Sequence, residues 1–168
     1  MFIATLQHTP TWVYGLLFAL IALGVSQSFP RTVTLRRSAV LPLALVGVSL
    51  MGVVGTFDHQ PLALLAWASA LAATVAALHG RVDTSAVRFS AVTQRFQLPG
   101  SWVPLALMLG LFAVKFGTGV TLANQPELRD STGFALAASA AYGMFSGVFL
   151  GRAMALWTLA RRTLLQHA

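Results

Sequence analysis

Cysteine is absent from this chain of 168 residues, and charged residues are scarce. The absence of cysteine excludes disulfides, thiolate metal sites, iron–sulfur clusters and a cysteine nucleophile. Charged side chains make up 9% of the sequence, against about 25% in an average soluble domain. Only four residues are acidic, so general acid–base catalysis has few candidates. The sequence also lacks the motifs of phosphate-binding loops, serine hydrolases and zinc proteases, which argues against an enzyme without excluding one.

Hydrophobic residues are abundant instead, at 57% of the chain. They form continuous runs, whereas the strands of a membrane β-barrel alternate apolar and polar residues. A helix needs about 20 mostly apolar residues to cross a hydrocarbon core roughly 30 Å thick. Five runs qualify and predict an all-α membrane bundle that forms one domain over residues 1–168. The predicted spans are 11–29, 39–57, 61–78, 102–123 and 132–159.

The basic residues predict how these helices are oriented. The net charge of +7 is spread too thinly for a nucleic-acid groove, so we interpret it as a topology signal. Arg129 is the one loop cation on one side of the predicted membrane. Because basic loops stay in the cytoplasm, the pattern predicts an outer N-terminus and a cytoplasmic C-terminus. The cations on the predicted cytoplasmic side are Arg31, Arg36, Arg37, Arg81, Arg88, Arg95, Arg152, Arg161 and Arg162.

Two parts of the chain resemble each other. The sequence PLAL occurs at residues 42–45 and again at 104–107, and a Gly-Thr pair follows each at 55–56 and 117–118. A duplication would give one leading helix and two parallel hairpins, an arrangement that some transporters use. The alternative is chance, because Leu and Ala are common in any membrane helix.

Small residues recur every four positions along the predicted fifth span. In lipid there is little hydrophobic drive between helices, and small side chains let two backbones approach closely. We therefore expect a tight helix–helix contact at this stripe, either within one chain, with the Ala-rich third span as a candidate partner, or between copies in a homo-oligomer. The stripe consists of Ala135, Ser139, Gly143, Gly147 and Gly151.

The predicted cytoplasmic loop 81–100 is long for a helical bundle. Residues 87–91 and 95–98 alternate apolar and polar side chains, which is typical of a short hairpin or of an interfacial segment. An amphipathic helix from Thr84 is a further alternative. The loop either anchors the protein at the membrane surface or serves as a partner-binding or ligand-gating element.

Lys115 is the basic residue that topology does not explain, because it lies inside the fourth span. Lysine at a helix centre costs about 2.5–3.5 kcal/mol on insertion scales. Thr118 shares its helix face, and Asp58, His59 and Glu127 fall in loops on the nearer, outer side. These residues predict a site for a small anionic ligand or a proton, open to the outer face, as in a small transporter or channel. The alternative is a lysine that snorkels to the membrane surface or pairs with a loop carboxylate, for which Asp58, Glu127 and Asp130 are the candidates.

The histidines raise the question of a cofactor. His8 and His59 with Asp58 have the ligand chemistry for zinc or copper, but their separation fits no local ligand motif. His8 and His79 fall at opposite ends of their helices and cannot share one haem. We predict no cofactor. A metal- or cofactor-binding membrane protein stays an alternative, as does a non-catalytic accessory subunit that acts through helix packing.

Two segments carry a resemblance to a known family. The sequences HTPTWV at residues 8–13 and LPGSWVPL at residues 98–105 resemble a family of small bacterial inner-membrane proteins of unknown function. The resemblance implies a multi-pass helical protein of the bacterial cytoplasmic membrane. It implies no activity and no site residues.

Overall fold

The computed structural model describes residues 11–166 as five helices and a small sheet. The helices are α1 (Thr11–Ser26), α2 (Leu35–Thr56), α3 (Pro61–Leu78), α4 (Val103–Asn124) and α5 (Thr132–Gln166). The strands are β1 (Arg31–Thr34), β2 (Arg88–Ser90) and β3 (Arg95–Leu98), and a 3-10 turn covers Pro126–Arg129. The prediction of a mainly helical protein is confirmed, but a purely α-helical fold is wrong because three strands form.

Four of the helices, α2 to α5, are long and apolar enough to cross a membrane. α2 and α4 have 22 residues each, about 33 Å at roughly 1.5 Å per residue. α1 has 16 residues, about 24 Å, which is shorter than a hydrocarbon core of roughly 30 Å. Four helices are therefore compatible with membrane spans, and the predicted number of five spans, including the one at 11–29, stays a prediction.

Local chemistry explains where the helices begin. α2 starts at Leu35, earlier than the predicted residue 39, because the Thr34 hydroxyl caps it by accepting the backbone N–H of Arg37 over 3.4 Å. Pro61 opens α3 at its first position, where a missing N–H leaves no hydrogen bond unmade. Pro104 does the same within the first turn of α4.

α5 is the helix on which the bundle is built, because α2, α3 and α4 all pack against it. α2 also contacts α3, whereas α4 also contacts α1. Within residues 11–166, α2 and α4 themselves touch at most marginally. In a two-fold repeat α2 would correspond to α4 and α3 to α5, so the α3–α4 contact would have to match the α2–α5 contact. The α2–α5 contact is extensive, whereas the α3–α4 contact is not. The predicted repeat is therefore not supported by the packing.

The hydrophobic core lies at the end of the bundle opposite the sheet. We call this the turn end, since it carries the connections 57–60 and 125–131. The rings of Phe57 and Phe134 meet edge to face there, with centroids 6.1 Å apart. The buried core residues are Val53, Phe57, Ala63, Leu111, Ala135, Ala138 and Tyr142, contributed by α2 to α5 and by the turn after α2.

The sheet closes the other end of the bundle, the sheet end. β3 lies in the middle, antiparallel to both neighbours, with Phe96 opposite Val33 of β1 and Phe89 of β2. The Phe89 and Phe96 rings lie 4.8 Å apart, and Phe96 is fully buried. The opposite face of the sheet is polar and carries Arg88 and Arg95. The alternating loop thus forms a hairpin, and no helix starts at Thr84.

β1 joins this hairpin from the loop between α1 and α2, so the sheet links two separate loops. Arg31 alternates onto the same face as Val33, where its guanidinium donates to the Gln27 side chain over 2.7 Å. Burial, together with the neighbouring Arg37, lowers the pKa of Arg31 from its usual value. Such a group remains charged at neutral pH, so the sheet end keeps its positive character.

Candidate functional site

A cleft of about 400 Å³ opens at the turn end between α2, α4 and α5. We call it the α2–α4 cleft. It exists because α2 and α4 each pack on α5 but hardly on each other, which leaves a gap in front of α5. Its lining residues are Gly52, Thr56, Lys115, Thr118, Gly119, Leu122, Ala123, Arg129 and Tyr142.

Lys115 reaches across this cleft from α4 to α2. A Cβ atom built on Gly52 would lie 3.7 Å from Lys115 Nζ, which is ordinary van der Waals contact. Lys115 lies nine residues before the end of α4, about 14 Å along the axis, whereas Gly52 lies four residues, about 6 Å, before the end of α2. The side chain therefore runs toward the turn end while its ammonium stays inside the cleft.

Hydroxyl groups form the inner wall of the cleft. Tyr142 of α5 is 3% exposed, and the Thr118 side chain of α4 lies beside its hydroxyl. Thr56 adds a third hydroxyl from the last residue of α2. Hydroxyls donate hydrogen bonds to anionic oxygens, so the wall complements the ammonium chemically.

A second cation, Arg129, lies at the rim of the cleft. It ends the 3-10 turn, and Gln60 Nε2 donates a hydrogen bond of 2.8 Å to its backbone carbonyl, which ties this turn to the start of α3. Across residues 11–166, neither Lys115 nor Arg129 has a carboxylate within ion-pair distance. The cleft lining therefore holds two positive charges and several hydroxyls and no acidic side chain, while Asp130, the residue after Arg129, is exposed outside it.

The other predicted site residues lie outside the cleft. Asp58 and His59 contact each other instead, with His59 Nε2 3.2 Å from Asp58 Oδ1 and both side chains more than half exposed. Asp58 Oδ1 also accepts the His59 backbone N–H, an interaction that stabilises the turn before α3. Glu127 is exposed on the 3-10 turn. Lys115 and Thr118 are thus brought together, whereas Asp58, His59 and Glu127 do not join them.

Within the described residues, the structure adds no ligand to those already considered for a metal ion or a haem. In the part of the chain between residues 11 and 166, no three His, Asp or Glu side chains gather into a metal-binding group. His8, one of the proposed ligands, lies outside the described residues. His79 is exposed at the sheet-end cap of α3.

The stripe of small residues on α5 faces α3. A Cβ on Gly143 would overlap the Trp67 carbonyl, and one on Gly147 would lie 2.8 Å from the Leu71 carbonyl oxygen. At Gly151 the nearest atoms belong to the Leu78 side chain, at 3.2 Å. The remaining members, Ala135 and Ser139, are fully buried. The stripe is therefore covered by α3 of the same chain.

Seven of the nine cleft residues were not among the predicted site residues: Gly52, Thr56, Gly119, Leu122, Ala123, Arg129 and Tyr142. One sequence signal pointed to part of this set, because the matching Gly-Thr pairs at 55–56 and 117–118 contain Thr56 and Thr118. Both threonines line the cleft. Tyr142 carries no comparable signal, since an aromatic residue in an apolar helix is typical of any core.

Comparison with known proteins identifies a family and nothing closer. The model of a family of unknown function, DUF6622, matches residues 1–165. No curated protein matches the chain, and no solved structure does.

Proposed function

Because the chain belongs to the family of unknown function DUF6622, its role has to be argued from its own residues, and we propose that it is an integral membrane protein that binds a small anionic ligand in the α2–α4 cleft. The observation that carries this proposal is the pairing of Lys115 and Arg129 in one cleft without a carboxylate partner.

Electrostatics favours an anion at this place. An unpaired ammonium within a membrane span costs about 2.5–3.5 kcal/mol on insertion scales, and an anion between two cations offsets that cost. The hydroxyls of Thr56, Thr118 and Tyr142 add donors that a carboxylate or a phosphate accepts. A cation would be repelled by both of these charges.

The direction of the cleft follows from the charge of the two ends. Six arginines lie at the sheet end, in its strands, its loops and the first turn of α2: Arg31, Arg36, Arg37, Arg81, Arg88 and Arg95. The positive-inside rule assigns this end to the cytoplasm of a bacterial inner membrane. The cleft then opens to the outer side.

Transport is the narrower form of this proposal, with the cleft as the outward-open binding site of a small transporter. It would require a second conformation in which the cleft reaches the sheet end.

The alternative of an accessory subunit has less support, because the small-residue stripe of α5 already packs on α3. A homo-oligomer would therefore have to use another helix face.

Anion titrations of the protein purified in detergent test the proposal. Thermal unfolding is followed with phosphate, sulfate or acetate, because a ligand that binds only the folded state raises the midpoint as its concentration rises. We expect at least one of these anions to stabilise the wild type. Lys115→Gln and Arg129→Gln should each weaken its binding at least tenfold.

The matched control is Arg81→Gln, which removes an exposed positive charge at the opposite end of the bundle. It should bind the anion as the wild type does. The proposal fails if no anion raises the midpoint, or if Lys115→Gln and Arg81→Gln have the same effect.

A further inference from the structure

The α2–α4 cleft is open toward the side of the bundle as well as toward its end. Gly119 on α4, which lines the cleft, has no neighbouring atoms within 4 Å of a Cβ built on it. Lys115 is exposed although it belongs to a membrane-spanning helix. Since α2 and α4 hardly touch, the surrounding lipid has direct access to the ammonium through the gap between them.

The ammonium lies about one helical turn below the level at which the lipid headgroups begin. Lys115 Nζ lies beside Gly52, about 6 Å or roughly one helical turn below the end of α2, and Arg129 lies just beyond the end of α4. Lipid headgroups begin where the apolar part of a spanning helix ends. A phosphate held between these two cations would therefore lie at the headgroup level of its leaflet.

The helix faces below the ammonium are apolar. Val48 precedes Gly52 by four residues on α2, and Phe112 precedes Lys115 by three on α4, so each lies one turn deeper on the same face. Val48 is 49% exposed, and the Phe112 ring stacks on that of Phe116 with centroids 5.9 Å apart. The gap thus joins a cationic upper part to an apolar lower part, which is the pattern of a phospholipid.

We propose that the ligand of the cleft is an anionic phospholipid from the leaflet at the turn end. Its phosphate lies between Lys115 and Arg129, and its acyl chains run down the gap past Val48 and Phe112. The lipid enters sideways between α2 and α4. This inference rests on the proposed anion site and narrows its ligand, since a free phosphate entering from the aqueous side would use the same cations without the apolar groove.

Retention of lipid by the purified protein distinguishes a phospholipid headgroup from free phosphate as the ligand of the cleft. The full chain is reconstituted in vesicles of equal parts phosphatidylglycerol and phosphatidylcholine, extracted in mild detergent and analysed by native mass spectrometry. We expect the wild type to retain phosphatidylglycerol at least tenfold over phosphatidylcholine. Lys115→Gln should lose this preference, and Arg81→Gln should keep it.

A second variant tests the acyl-chain groove separately from the charge. Val48→Asn places a polar amide in the lower part of the gap and leaves both cations in place. Val40→Asn is its control, because Val40 is 63% exposed on α2, two helical turns further from the cleft. We expect Val48→Asn to reduce phosphatidylglycerol retention several-fold, Val40→Asn to leave it unchanged, and neither to alter the binding of inorganic phosphate.

The outcomes separate this inference from the proposed function. Equal retention of both lipids, or unchanged phosphatidylglycerol retention in Lys115→Gln, would overturn the proposal that the ligand is an anionic phospholipid. Lys115-dependent binding of inorganic phosphate without retained phosphatidylglycerol would overturn it as well, while the anion site would stand. If none of the titrated anions binds and phosphatidylglycerol is not retained, both proposals are wrong.

Discussion

Trp67 Nε1 donates a hydrogen bond of 2.9 Å to the Ser49 hydroxyl, although the two residues belong to different helices. The same hydroxyl donates over 3.3 Å to the backbone carbonyl of Tyr142. One buried oxygen therefore links α3, α2 and α5 at the level of the core. Because the Tyr142 side chain is part of the cleft wall, these hydrogen bonds also fix the position of that wall.

Removing this hydroxyl should destabilise the bundle. Ser49→Ala leaves the indole N–H of Trp67 without its acceptor, and hydrogen bonds between membrane helices contribute about 0.6 kcal/mol on average and up to about 1.7 kcal/mol. Since Ser49 makes two of them, we expect a loss of about 1 kcal/mol in unfolding free energy in detergent. The control is Ser69→Ala, whose exposed hydroxyl bonds only to its own helix at Ala66. An equal loss in both variants would contradict the interhelical role of Ser49.

Close approach of α5 to α3 should make Gly147 intolerant of even one methyl group. A Cβ there would lie 2.7 Å from Thr74 Cβ and 2.8 Å from the Leu71 carbonyl oxygen, and a backbone atom cannot move aside freely. Gly147→Ala should lower the unfolding free energy by about 1–3 kcal/mol, as overpacking does. Gly133→Ala is the control on the same helix, with open space around it, and should be neutral or slightly stabilising. The predicted close contact is wrong if both variants unfold alike.

Phe96 should hold the sheet on the bundle. It is fully buried and contacts Phe89 and Val33 across the strands. Phe96→Ala removes a large buried ring, which costs about 3–5 kcal/mol in a packed core. We expect faster proteolysis within residues 81–100, compared with Val92→Ala, where the side chain is 95% exposed at the tip of the hairpin. Equal proteolysis rates in the two variants would mean that Phe96 does not secure the sheet.

The natural lack of cysteine makes the orientation easy to test. Single replacements at exposed positions of the two ends, Val92→Cys at the sheet end and Asp58→Cys at the turn end, each introduce one reactive thiol. With the sheet end in the cytoplasm, a membrane-impermeant thiol reagent added to intact cells should label Asp58→Cys and not Val92→Cys. Labelling of Val92→Cys alone would reverse the proposed topology.

The location of the spans was predictable because lipid offers no hydrogen-bond partners to the backbone. A segment that crosses a bilayer must satisfy its backbone polar groups internally, so long apolar runs indicate helices directly. Most helix boundaries were predicted to within a few residues for the same reason, helped by Thr34, Pro61 and Pro104 at helix starts. The hairpin in loop 81–100 followed from its apolar–polar alternation.

The partnership of β1 with that hairpin was not predictable, because Val33 and Phe96 are far apart in sequence. Nothing local in residues 31–34 specifies a partner, since strand pairing depends on which loops the helices bring to the same end. For the α5 stripe, the sequence offered α3 as one candidate partner and a second copy of the chain as the other. It did not decide between them, because small residues permit close packing without specifying the neighbour, and the structure shows α3.

The sequence by itself determined that this is a chain of helices long and apolar enough to cross a membrane, and it singled out Lys115 as a charge within one of them. Only the tertiary structure decided which residues surround that charge. The helices are apolar on all sides, so their sequences carry little information about rotation, and packing on α5 sets which face of α2 and α4 borders the cleft. That packing joins Lys115 to Arg129, Thr56 and Tyr142 and leaves Glu127, two residues from Arg129, outside.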